Sequence, residues 1–131
     1  MNPRLRERFD RVVDEVLAGM PPLVHEVLQR VPLYVEDYPS PEVMQELGLE
    51  YRDELCGLHE GIPITKKSIE DPCRLPDTVT LYRVGILAQA MDEKGRIRKG
   101  RLREEIRITL LHELGHQHGL DEDQLRELGY G

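Results

Sequence analysis

The string His112-Glu113-Leu114-Gly115-His116 constrains this chain more than any other, because its chemistry works only on a helical backbone. On a helix, residues four apart lie about 40° apart around the axis, so the two imidazoles point the same way. Two imidazoles on one face can grip a single Zn²⁺ at Zn–N distances of about 2.0–2.1 Å. Glu113 sits on the flank of that face, close to a metal without binding it. There it can take a proton from a zinc-activated water and later deliver it to a leaving amine. The spacing points to a zinc hydrolase site, most often a peptidase.

The pattern extends beyond five residues, since Gly119 and Glu122 complete H-E-x-x-H-x-x-G-x-x-E. A glycine at that place can end the helix in a left-handed conformation and turn the chain back toward the metal. Glu122 then becomes the candidate third ligand, with Asp121 and Asp123 as alternatives. Asp121 followed by Gln124 also reads as a capping box that opens a short helix, Glu122 to Leu128. The motif has a suitable carrier. From Arg101 to His118 there is no proline, and Leu102, Ile106, Leu110 and Leu114 recur every four residues with Leu111 beside them. That is an amphipathic helix with a buried stripe. Glu104 and Glu105 near its start and the histidines near its end suit the helix dipole. His118, two residues past His116, points to another side and is expected to have a supporting or surface role. His25 and His59 have no ligand partners nearby and read as structural or solvent-facing.

A chain of 131 residues, 39% hydrophobic and 33% charged, suits one soluble globular domain spanning 1–131. With one Phe and no Trp, its core must be built from Leu, Val and Ile. No apolar run is long enough to span a membrane. The charged N-terminus, Met1 to Arg11, lacks a signal-peptide core, which predicts a cytoplasmic location. Cys56 and Cys73 form no metal or disulfide pattern and read as reduced thiols. A net charge of −7 argues against general nucleic-acid affinity. The local exception is the basic run Lys94, Arg96, Arg98, Lys99, Arg101, Arg103 and Arg107, which reads as a solvated face.

Apolar spacing predicts a helix over Pro3–Ala18 stopped by Gly19, and a second helical segment over Leu23–Val31. Leu33 to Tyr38 reads as a strand. Ser40-Pro41-Glu42 combines a cap, a first-turn proline and an acid, opening a short helix that ends at Gly48. Leu55–Glu60 is a short strand, Gly61–Pro76 an irregular loop, and Thr78–Val84 the clearest strand. Asp92–Gly100 reads as a polar loop or hairpin. Together these predict an α+β fold, with a small mixed sheet packed against an N-terminal helix and the H-E-x-x-H helix.

The chain resembles the small bacterial zincin-like metallopeptidase family, a minimal metzincin-like domain long known only as a domain of unknown function. The resemblance rests on Pro76-Asp77-Thr78-Val79-Thr80-Leu81-Tyr82-Arg83, on Glu105 to His116, on Gly119-Leu120-Asp121 and on Leu125. Leu58-His59-Glu60-Gly61 also looks like a strand-and-turn segment of that family. Covering roughly Leu49 to Tyr130, the resemblance implies Zn²⁺ held by His112, His116 and Glu122, with Glu113 as acid/base. Family members commonly carry Asp at the last of these positions, so the Glu here is one methylene longer. The methionine turn of metzincins proper has no counterpart, since none of the fifteen residues after His116 is methionine. Zincins pair an extended peptide with an edge strand beside the motif helix. Leu55–Glu60 or Thr78–Val84 could be that edge.

These features imply a peptide or protein substrate. Tyr82, Arg83 and Tyr130 are candidates for the second donor to a tetrahedral oxyanion. Two other classes share parts of the pattern. Single-zinc endoribonucleases of ribosomal-RNA maturation have similar ligand spacing, but with glycine at the position of Glu113 and histidine at that of Glu122. A non-catalytic, zinc-stabilised binding module could also keep such a site. Specificity and oligomeric state are not written in the sequence.

Overall fold

The structure, a computed structural model, describes residues 1–60 and 78–117, with residues 116 and 117 described by backbone alone. Helix α1 runs over Pro3–Ala18. Asn2 caps it, its side-chain oxygen accepting from the Arg4 N–H at 2.8 Å, and Pro3 occupies the first turn, where a missing N–H costs nothing. Phe9, Val12, Val13 and Val16 are buried on its inner face. Helix α2 spans Pro22–Leu28 and stops before the expected Val31. Pro32 accounts for this, because the residue before a proline is pushed out of the helical region.

Strand β1 covers Leu33–Glu36, two residues shorter than expected. Asp37 leaves the ladder so that its carbonyl accepts the N–H of Val84 at 2.9 Å while its carboxylate receives two arginines. Helix α3 spans Pro41–Leu47 as the sequence predicts. Ser40 caps it, and Gly48 closes it in the left-handed region at φ 66°, where side chains are disfavoured. Strand β2 is Gly57–Glu60 and strand β3 is Thr78–Tyr82. The expected loop Gly61–Pro76 lies outside the described residues.

At Arg83 the chain turns straight from β3 into α4, Arg83–Ala90, a helix the sequence reading did not anticipate. It can form because Gly85 lets it lie directly on the backbone of Leu55 and Cys56. A Cβ on Gly85 would stand only 2.1 Å from the Leu55 carbonyl oxygen. Within the expected Asp92–Gly100 segment a tight hairpin is bridged antiparallel from Met91 to Ile97, and the segment's last two residues already belong to the next helix. The Asp92 side chain accepts the N–H groups of Lys94 and Arg96, both at 2.9 Å. Helix α5 then spans Lys99–Gln117.

The sheet order is β1-β3-β2, with β1 parallel and β2 antiparallel to the central β3. Register sorts the residues by face. Leu33, Val35, Gly57, His59, Val79 and Leu81 share the inner face, and Tyr34, Glu36, Leu58, Glu60, Thr78, Thr80 and Tyr82 share the outer one. Helix α5 covers the inner face across β2 and β3, and α1 and α4 pack against α5 in the same core. The predicted stripe Leu102, Ile106, Leu110, Leu111 and Leu114 is fully buried there. Each such side chain contributes roughly 1.5–3 kcal/mol of burial, which locks the rotation of α5 about its axis. Lys99 and Arg103 of α5 both reach Glu15 of α1, at 3.0 and 2.7 Å, tying the two helices at their exposed seam. The result is an α+β fold with a small mixed sheet, packed against an N-terminal helix and the motif helix as expected.

Candidate active site

The orientation of α5 follows from its stripe. With Leu110, Leu111 and Leu114 turned into the core, His112 is exposed and Glu113 half-buried. The helix continues unbroken to Gln117, so His112 and His116 keep the four-residue helical spacing the motif requires. The His116 side chain lies outside what the structure describes, as do His118, Gly119, Asp121, Glu122, Asp123, Tyr130 and the expected helix Glu122–Leu128.

Glu113 is set against the sheet by one glycine. A Cβ on Gly57 would lie 2.7 Å from Thr109 Cγ2, 3.2 Å from Glu113 Cγ and 3.3 Å from the Thr80 carbonyl oxygen. The start of β2 therefore presses its bare backbone on the turn of α5 that carries Glu113. Thr109 keeps its methyl toward this contact because its hydroxyl donates back to the Glu105 carbonyl at 2.8 Å. His59, two residues further along β2, is half-buried on this same inner face rather than solvent-facing. His25 is exposed on α2. Sequence reasoning missed Gly57, since a lone glycine within Leu55–Glu60 carries no local mark of what it touches.

Sheet order decides which strand is the edge. Strand β3 is central and paired on both sides, whereas β2 pairs only with β3 among the described residues. The alternative edge Thr78–Val84 is thus corrected, and among the described residues the edge strand beside the motif helix is Gly57–Glu60.

Two of the three candidate oxyanion donors are placed elsewhere. Arg83 is buried in an ion-pair cluster, donating from Nε and Nη2 to both carboxylate oxygens of Asp10, each at 2.9 Å, and from Nη1 to Asp37 at 2.9 Å. Arg6 completes the cluster on Asp37. Those hydrogen bonds, that from Arg6 most strongly, hold the Asp37 carboxyl below the usual range against the opposing effect of burial. Tyr82 points to the outer face of the sheet, away from α5. Its phenol is pushed up to about 12, chiefly by burial, with Glu36 and Glu60 adding.

Cys56 precedes β2 and is half-buried. Burial raises its thiol first, and the nearby charges of Glu105 and Glu113 raise it further, so it stays protonated and a poor nucleophile. Cys73 is outside the described residues. The basic run is largely neutralised. Lys99 and Arg103 pair with Glu15, Arg101 pairs with Glu105 at 3.0 Å, and Arg107 lies 3.9 Å from Glu104. Only Lys94, Arg96 and Arg98 extend into solvent from the hairpin without a carboxylate partner among the described residues, which makes a poor track for a phosphate backbone.

A mixed sheet whose antiparallel edge strand lies against a helix bearing H-E-x-x-H is the architecture of zincins. A profile of the family described as zincin-like metallopeptidase matches residues 28–131, and the chain belongs to that family. The match begins at the end of α2, well before the Leu49 start of the resemblance visible by eye, and leaves α1 outside it. A search of curated proteins gives no match. No helix among the described residues is long and apolar enough to cross a membrane.

Proposed function

We propose that this chain is a zinc-dependent peptidase in which His112, His116 and Glu122 hold the metal and Glu113 moves the proton. The observation that carries the reading is the contact of Gly57 with Glu113, which brings a candidate peptide-binding edge and a candidate base to one place. The donor chemistry suits zinc. His112 is exposed on an unbroken helix, four residues before His116, and a carboxylate three residues past Gly119 completes a ligand set that zinc accepts. Zinc bound there would polarise a peptide carbonyl and bring the pKa of water toward ~7.

The chain's own residues do the rest. The outward edge of β2 offers its N–H and C=O groups to an extended substrate, which joins the sheet as a further strand. This fixes the scissile carbonyl relative to α5. Glu113, beside the metal-binding face and held by β2, accepts a proton from the attacking water and returns it to the departing amine. Glu113 is only half-buried and adjoins the exposed His112 on α5. Asp121 and Asp123 are the alternative third ligands.

The test is metal content. The purified protein should bind one equivalent of zinc, with affinity falling by orders of magnitude in His112→Ala and in His116→Ala, since too few ligands then remain to close a tetrahedral site. Stoichiometric zinc in the double variant would refute the ligand assignment.

A further inference from the structure

The inner face of the sheet is apolar apart from one position. Strands β1 and β3 supply Leu33, Val35, Val79 and Leu81 to it, and β2 supplies Gly57 and His59. Among the described strands His59 is therefore the one polar side chain on the face that α5 covers, and it is half-buried there. An imidazole is costlier to bury than an aliphatic side chain, so packing alone does not account for it.

The ladder shows which side of β2 this residue serves. Tyr82 donates its backbone N–H to the Cys56 carbonyl at 2.8 Å. Residues of an antiparallel strand face their partner alternately, so Leu58 and Glu60 also turn N–H and C=O toward β3, whereas Gly57 and His59 turn theirs away from it. The outward side of β2 is thus built from the two residues whose side-chain positions face α5. Place along α5 follows from the neighbours. The charge of Glu105 acts on the Cys56 thiol more than that of Glu113 does, and Gly57 meets Thr109 and Glu113. Strand β2 therefore advances toward the C-terminal end of α5. Two further residues carry it about 6.7 Å, a little more than one helical turn of about 5.4 Å. That brings His59 to the turn of α5 that follows Glu113 and carries His116.

We propose that His59 donates a ring N–H hydrogen bond to the substrate oxygen that gains negative charge as the scissile carbonyl becomes tetrahedral. The assignment rests on the peptidase reading. It fills the role that Arg83 and Tyr82 cannot, since one is held in an ion-pair cluster and the other faces the outer side of the sheet. The imidazole keeps its proton throughout and stabilises charge, while Glu113 alone moves a proton.

Two measurements on the zinc-loaded full chain test it: cleavage of a generic unstructured peptide, and calorimetric binding of a phosphinic peptide that mimics the tetrahedral carbon. In His59→Ala, kcat should fall about 10²-fold, the scale of one lost oxyanion donor, with KM little changed. The phosphinic peptide should bind weaker by a similar factor, while zinc content and unfolding midpoint stay those of the parent. His59→Gln keeps an N–H donor and should recover part of both losses, whereas His59→Phe keeps a ring without a donor and should recover neither. An active parent matched by His59→Ala in kcat and in phosphinate affinity overturns this assignment alone. So does equal recovery by Phe and Gln, which would mark a packing role, and so does loss of zinc or of the fold in all three variants. A zinc-loaded parent that cleaves no peptide overturns the peptidase reading, and this assignment with it.

Discussion

Gly57 stands against Glu113 so closely that the smallest side chain on the glycine would reach within 3.2 Å of Glu113 Cγ, and closer still to Thr109. A strand edge and a candidate base are thereby fixed to one another through backbone rather than through a flexible side chain. This contact makes the site a property of sheet-on-helix packing, and it can be broken and repaired.

Gly57→Ala should destabilise the fold by about 1–3 kcal/mol, the usual cost of overpacking. Its new methyl group collides first with Thr109 Cγ2, at 2.7 Å. Thr109→Ser removes that methyl and keeps the hydroxyl bond to Glu105, so the double variant should recover at least half the loss. Urea unfolding of the four proteins measures this. Strict additivity of the two changes would show that the contact is not as described.

Gly85→Ala should cost more, about 3 kcal/mol or above, and no side-chain change should rescue it. Here the obstacle is the backbone of Leu55 and Cys56, which cannot yield without moving β2. Gly48→Ala is the useful comparison, with open space around it but a left-handed φ of 66°, so its cost should be nearer ~1 kcal/mol.

These glycines show where the sequence was readable and where it was not. Helix α1, the Ser40 cap, Gly48 and the buried stripe of α5 were legible because each is a local pattern whose physics is complete within a few residues. Helix α4 was not, because Val84-Gly85-Ile86-Leu87 continues the apolar run of β3 with a glycine inside it. Only the approach to Leu55 explains that glycine. Arg83 looked like an available cation because its partners, Asp10 and Asp37, are distant in sequence. The identity of the edge strand likewise depended on sheet order, which no strand's own composition reveals. The motif itself was plain from the first, while its third ligand is still assigned by spacing.

The Arg83 cluster makes stability pH-dependent on the acid side. The Asp37 carboxyl is depressed in the folded state, so its contribution is complete above the unfolded value near ~3.9 and is lost as pH falls through the lower folded value. Glu15, lowered by Arg103 and Lys99, acts in the same direction. Asp37→Asn should therefore flatten the fall in unfolding free energy below about pH 4. Arg83→Leu removes the cation paired with Asp10 and one of the two on Asp37, which keeps Arg6, and should cost about 1.5–3 kcal/mol at neutral pH, the scale of lost hydrogen bonds to charged groups. An unchanged acid limb in Asp37→Asn would remove Asp37 from this account.

The third ligand can be separated from its neighbours by zinc affinity. Glu122→Ala should weaken zinc binding clearly more than Asp121→Ala or Asp123→Ala. Asp121→Ala should instead lower stability by about 0.5–2 kcal/mol, the cost of a lost helix cap. Competition with a chromogenic chelator gives the order, and a larger loss in either aspartate variant would reassign the ligand.

The central claim rests on Glu113, and the most direct measurement is peptide hydrolysis by Glu113→Gln beside the parent at matched zinc content. The amide keeps the size of the side chain and its place against Gly57 but accepts no proton at neutral pH. The account predicts that the parent cleaves a generic unstructured peptide and that the variant loses at least ~10²-fold in kcat, the scale of a removed general base, with zinc content and unfolding midpoint unchanged. Equal cleavage by both proteins, or no cleavage by the zinc-loaded parent, would contradict it.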